Sequence, residues 1–142
     1  MKSIGFITMQ IALIVFISCG AADVLLTFIL GSSSHLANWQ NAVGNVPSGM
    51  VALDQIMART VGTFFVLLGL SGQIILHEMV RVGSKRGLVY LIGLLGVGVF
   101  IYVMPMTGIT ASQALIPILS LTLLLIGAAL WYFHFPFSRF AK

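Results

Sequence analysis

The stretch IGFITMQIALIVFISCGAADVLLTFIL, Ile4–Leu30, carries a single charge, Asp23. A helix rises about 1.5 Å per residue, so about 20 apolar residues cross the roughly 30 Å hydrocarbon core of a bilayer. Ile4–Leu30 is long enough to do so. A carboxylate at mid-membrane costs about 2.5–3.5 kcal/mol on insertion scales, so Asp23 needs a partner, a wet cavity or a proton.

Three more apolar runs follow: Val61–His77, Leu88–Met104 and Ala111–Phe135. Together the four use up most of the chain. The expectation is an all-α, integral membrane four-helix bundle, built as one domain over residues 1–142. Its helices should cover about 4–30, 61–77, 88–104 and 111–135, with a polar outer loop at 31–60. Composition agrees, because only 7% of the residues are charged and 59% are hydrophobic, whereas soluble domains are about 25% charged. No length remains for a soluble catalytic domain. The single cysteine, Cys19, excludes an intrachain disulfide and any zinc site made of cysteines alone.

The basic residues indicate topology. Lys2 precedes the first run, Arg81, Lys85 and Arg86 separate the second from the third, and Arg139 and Lys142 follow the fourth. These segments share one side if all four runs cross, and Arg59 alone lies on the other. By the positive-inside rule the protein is multi-pass, with both termini cytoplasmic and loop 31–60 outside. The basic charge is thereby accounted for, and no nucleic-acid partner is expected, since no basic face with interleaved aromatics lies outside the membrane. Ser18-Cys19-Gly20 imitates a lipoprotein cleavage site, but apolar sequence resumes at Val24–Leu30, which favours an uncleaved first helix.

Loop 31–60 is rich in turn formers, with Trp39 and Leu36 suited to the interface. Pro47-Ser48 then opens a short amphipathic helix, with Ser48 as its N-cap and Met50, Leu53, Ile56 and Met57 at helical spacing. This segment either lies on the membrane or leads straight into helix two. Helix two carries Gly62, Val66, Gly69 and Gln73 on one face, with Arg59 one turn beyond. Helix three carries Gly93, Gly96 and Gly98, and Tyr102 near its outer end. In helix four Ser120, Gly127, Trp131 and His134 share a face, and Trp131 to Phe135 read as a cytoplasmic aromatic belt.

Asp23 is the leading candidate for function. Cys19, Gly20 and Thr27 lie one turn away on its face. Helix one runs outward, so Asp23 sits about 12 Å of helix below Gly31. Arg59 and Tyr102 should lie at similar depth, giving an outer cluster of Asp23, Arg59 and Tyr102. Such a cluster fixes helix register as an ion pair, or it binds a quinone, lipid or proton-coupled solute. His77 and His134 lie at similar depth on the inner side and could ligate a haem, but both fall at run ends, where interfacial histidines are ordinary. Met104-Pro105-Met106, with His35 on the same side, offers soft ligands, although a tight apolar turn explains it as well. No metal or cofactor is expected. No nucleophile and base pair up, so no catalytic residue is assigned and an enzyme is the least favoured class.

Arg59 before helix two, the run Gly62-Thr63-Phe64-Phe65-Val66-Leu67-Leu68-Gly69-Leu70 and the glycine-rich third helix make the chain similar to small DoxX-like four-helix membrane proteins. The resemblance covers about two-thirds of the chain in size, helix count and cytoplasmic termini, and the long polar first loop departs from it. It implies a respiratory or quinone-linked membrane subunit. Small multidrug transporters share four helices and one acid in the first, but their acid lies nearer mid-membrane and their loops are short. The expected function is a non-catalytic accessory or structural subunit of a larger membrane complex, respiratory, photosynthetic or similar, packed through glycine-rich faces and surrounded by lipid. The alternative is a quinone, lipid or proton-coupled solute site at Asp23 and Arg59.

Overall fold

A computed structural model describes residues 4–31, 40, 44–45, 47–103 and 111–134. Within them the chain is four helices: α1 (Ile4–Ile29), α2 (Ser48–Val82), α3 (Lys85–Val103) and α4 (Ala111–His134). No strand occurs among the described residues. α1, α2 and Leu115–Phe133 of α4 are long and apolar enough to cross a membrane, whereas the apolar part of α3, Arg86–Phe100, is shorter.

α2 departs most from the sequence expectation. Of the two readings of the amphipathic segment the second holds: it leads straight into helix two, and Ser48–Val82 is one helix of 35 residues. Asp54, Arg59, Glu78 and Arg81 interrupt the apolar run, but charges do not break a helix, and no proline lies between Pro47 and Gly83. The start also shifts by one residue. Pro47 is the cap and Ser48 the first helical residue, with no side-chain capping bond. The Pro47 carbonyl instead accepts from Met50 N–H at 2.9 Å. The stop is a glycine device. Gly83 takes φ 71°, and Ser84 N–H returns to the Met79 carbonyl at 3.1 Å, which ends α2 and turns directly into α3. Beside it, Arg81 Nη2 meets Glu78 Oε2 at 2.7 Å with both side chains more than half exposed. Exposed pairs contribute little, so Glu78→Gln is expected to change the thermal stability in detergent by less than about 1 kcal/mol.

α1 packs between α2 and α4, while α3 packs on α2 and, less extensively, on α4. The α1–α2 pairing is antiparallel and keeps an alternating spacing of three and four residues. Leu13 meets Gly72, Ile17 meets Gly69, Gly20 and Val24 meet Gly62, and Gln73 Nε2 donates to the Gln10 carbonyl at 3.4 Å. That spacing keeps one stripe of each helix facing the other along its length. α1 also runs antiparallel to α4. A Cβ on Gly5 would collide with the backbone of Trp131 and stand 2.6 Å from the Gly127 carbonyl oxygen, and one on Gly127 would stand 2.8 Å from Met9 N. Ile4 and His134 therefore lie at the same end of the bundle, here called the His77 end, with Gly31 and Gln55 at the other.

This close approach revises the aromatic belt. Trp131 is fully buried, whereas Tyr132 and Phe133 are exposed. The missing side chains of Gly5 and Gly127 let α4 settle onto α1, which draws the indole inside. The apolar core is correspondingly larger toward the His77 end, where Met9, Leu13, Leu76, Leu91, Leu124 and Trp131 interlock. A second cluster of Phe16, Phe65, Leu68 and Val99 follows. Phe16 stacks on Phe65 at 4.4 Å and also reaches α3, since a Cβ on Gly98 would stand 3.3 Å from its ring. Beyond Phe16, toward the Gln55 end, the buried residues of α1 turn polar: Asp23 and Thr27.

Candidate functional site at the Gln55 end of the bundle

Asp23 is only 9% exposed. It is held on the α1–α2 seam, because a Cβ on Gly62 would stand 3.2 Å from Asp23 Cβ and 2.6 Å from the Gly20 carbonyl oxygen. The glycines at 20 and 62 bring the two backbones together beside the carboxylate, so α2 leaves no room for a ligand on that side of it. Cys19, one turn away, is half-buried.

Arg59 lies one turn of α2 from Gly62, toward the Gln55 end. Its Nη2 donates to the Thr27 carbonyl at 3.3 Å, and its guanidinium carbon lies 4.2 Å from the centroid of the Phe28 ring. Thr27 belongs to the last turn of α1, whose carbonyls have no helical donor. Arg59 therefore caps the negative end of the α1 dipole, an interaction of about 0.3–1 kcal/mol at exposed sites and up to about 2 when partly buried. Stacking on Phe28 adds about 0.5–1 kcal/mol. Gln55 completes the cap by donating its side-chain amide to the Gly31 carbonyl. Thr27 itself turns inward and shares its hydroxyl between the carbonyls of Asp23, at 3.1 Å, and Val24, at 2.8 Å.

The structure thus places Asp23 and Arg59 on one seam, one on each helix, about a turn apart. The third expected member, Tyr102, lies in α3 one turn beyond Gly98, with its side chain outside the described residues. Position 113 of α4 is described only as helix. At the opposite end, His77 packs edge-on to Phe6, with centroids 5.7 Å apart, and its Nδ1 lies 2.8 Å from the Gln73 carbonyl. His134 closes α4, with its side chain outside the described residues, as are His35, Trp39 and the Met104-Pro105-Met106 turn. Among the described residues no three of His, Cys, Asp and Glu gather where they could hold a metal.

Two polar atoms were not anticipated. Arg59 Nε and Ser120 Oγ are both buried with no hydrogen-bond partner among the described residues. Spacing had put Ser120 on one face of α4 with Gly127 and Trp131, but could not show that this face is buried or whether the hydroxyl finds a carbonyl. The arrangement can hold helices in register, and it can offer buried donors to a small polar guest. Set against protein families, curated proteins and solved structures, the chain matches none of them.

Proposed function

We propose that this protein is an integral membrane, multi-pass, non-catalytic subunit that packs against another membrane subunit through the outward face of α3. Its topology would be the one the basic residues indicate, with both termini cytoplasmic and the Gln55 end outside. The observation that carries this reading is what the glycines do. Gly5, Gly20, Gly62, Gly69, Gly72, Gly87, Gly98 and Gly127 each lie where an added Cβ would run into a neighbour. Gly93 and Gly96 meet nothing within 4 Å. Helical glycine costs about 1 kcal/mol relative to alanine. At those eight positions close contact offsets that cost; at Gly93 and Gly96, in mid-helix, nothing among the described residues does, and the one other open helical glycine, Gly49, lies in the first turn of α2, where the cost is smaller. Between the exposed side chains of Val89, Val97 and Phe100, these glycines leave a notch of the kind that admits a second membrane helix.

The polar side chains support the same reading. Arg59 and Gln73 each bond to a carbonyl of α1, and Gln55 bonds to the Gly31 carbonyl just beyond its end, so they hold the bundle together and are not displayed to a substrate. A respiratory or photosynthetic type of assembly fits such a subunit. The test is purification in a mild detergent or nanodisc. The wild-type chain is expected to migrate with a larger assembly, and Gly93→Leu with Gly96→Leu should release it as a helical monomer of unchanged fold. A monodisperse wild-type monomer with its own turnover would overturn the reading. A second reading, a site for a small polar solute near Asp23 and Arg59, draws on the two unpartnered donors.

A further inference from the structure

Ser120 Oγ is a buried hydroxyl without a partner among the described residues. Thr8, Thr60 and Thr122 each return their hydroxyl to the carbonyl four residues back, at 2.9, 2.8 and 2.8 Å. Ser120, fully buried, does not do so and has no other partner among the described residues. An unpaired buried hydroxyl costs about 1–3 kcal/mol, and in an apolar bundle the usual remedy is an ordered water with two to four polar neighbours.

Those neighbours can be placed. Continuing the α1–α4 seam from Gly5–Trp131 and Met9–Gly127 by the same steps of three and four brings Ser120 level with Phe16 and Pro117 level with Cys19. Leu121, next to Ser120, packs against the Phe16 cluster as this register requires. Pro117 lies inside α4 and is fully buried. Having no N–H, it cannot bond to the carbonyl of residue 113, which frees a backbone acceptor one turn beyond Pro117 and two turns from Ser120, farther along the seam toward the Gln55 end. Half-buried Cys19 and then Asp23 continue the α1 face toward the Gln55 end. In the other direction the Phe16–Phe65 stack, Leu68 and Val99 form an apolar floor.

We propose that the α1–α4 seam between Asp23 and Ser120 holds bound water, entered from the Gln55 end and closed by Phe16, so that the Asp23 carboxyl is hydrated from the α4 side. This agrees with the α1–α2 contact at Gly20 and Gly62, which seals only the other side of Asp23. The water site deepens the solute reading and is independent of a partner subunit, since the α3 notch lies elsewhere.

Cys19 is the only cysteine and lies along the seam, so it can serve as the reporter. The protein in nanodiscs is treated with a small, charged, membrane-impermeant methanethiosulfonate, and modification is followed by mass. Folded wild type is expected to react. Ser120→Leu fills the seam and should slow the reaction at least about tenfold, and Ser120→Ala, which removes only the hydroxyl, should slow it about two- to fivefold. Wild-type Cys19 that stays unmodified while folded yet reacts fully in SDS would overturn the proposal. So would equal rates for all three proteins. A Ser120→Leu chain that misfolds would react faster, not slower, and the Ser120→Ala comparison then decides. Loss of a partner through Gly93→Leu and Gly96→Leu should leave the Cys19 rate unchanged, so the two readings fail separately.

Discussion

Gly62→Ala and Gly20→Ala are each expected to lower the stability of the bundle by about 1–3 kcal/mol, measured by loss of helicity or fluorescence change in an SDS titration. The methyl group has nowhere to go. On Gly20 it would stand 2.5 Å from the Gly62 carbonyl oxygen and 2.7 Å from Phe65 Cβ, and on Gly62 it would stand 2.6 Å from the Gly20 carbonyl oxygen. These are backbone atoms and the first carbon of a side chain, which yield only if the helices move apart. Separation would also pull Arg59 from Thr27 and Gln73 from Gln10. The control is Gly93→Ala with Gly96→Ala in the isolated chain. Those methyl groups meet open space, and removing two helical glycines should leave stability unchanged or raise it by up to about 1 kcal/mol per site. Equal losses at the two pairs of sites would mean that the α1–α2 contact is looser than these distances imply.

Arg59→Gln is expected to cost about 1–3 kcal/mol, the sum of the lost charge at the end of α1 and the lost stacking on Phe28. The informative experiment is the cycle with Asp23→Asn. If the two charges act as a pair across the seam, Arg59→Gln costs less once Asp23 is neutral, and a coupling of at least about 1 kcal/mol appears. If the two losses add to within about 0.5 kcal/mol, Arg59 serves only as the cap of α1, and the register-fixing ion pair must be abandoned. Comparing Arg59→Lys with Arg59→Gln separates charge from shape. A point charge keeps the dipole interaction but loses the planar stack on Phe28.

The helices themselves were legible because hydrocarbon length and apolar composition are properties of a linear string. α1 and α4 end within one residue of their expected limits. α2 was not legible in full. A scan for apolar runs stops at Arg59 and His77, although nothing there ends a helix, and only proline at 47 and glycine at 83 set the true limits. The pairing face Gly62, Gly69 and Gln73 could be read from spacing, since small residues on one stripe invite a neighbour. Which helix fills that stripe depends on three-dimensional register. For that reason the role of Arg59 at the Thr27 carbonyl could not be foreseen, even though both residues were in view. Trp131 shows the opposite failure. A tryptophan at the end of an apolar run is ordinarily interfacial, and two glycines on different helices, far apart in sequence, overrule that habit. Glycine spacing in α3 was equally ambiguous, since Gly98 faces the core and Gly93 and Gly96 face away.

The unequal lengths of the helices carry one more consequence. α2, at 35 residues, is about 52 Å long, whereas α3, at 19 residues, is about 28 Å. Because Gln55 is tied to Gly31, the first turns of α2 extend beyond the end of α1, carrying exposed Met50 and Leu53. Yet the uncharged stretch of α2 between Arg59 and Glu78 is about as long as that of α3 beyond Arg86. In a bilayer the surplus length of α2, which carries Asp54, would therefore stand outside the hydrocarbon, with Met50 and Leu53 at the interface. The mouth of the bundle at the Gln55 end would then be overhung on one side only, by the first turns of α2.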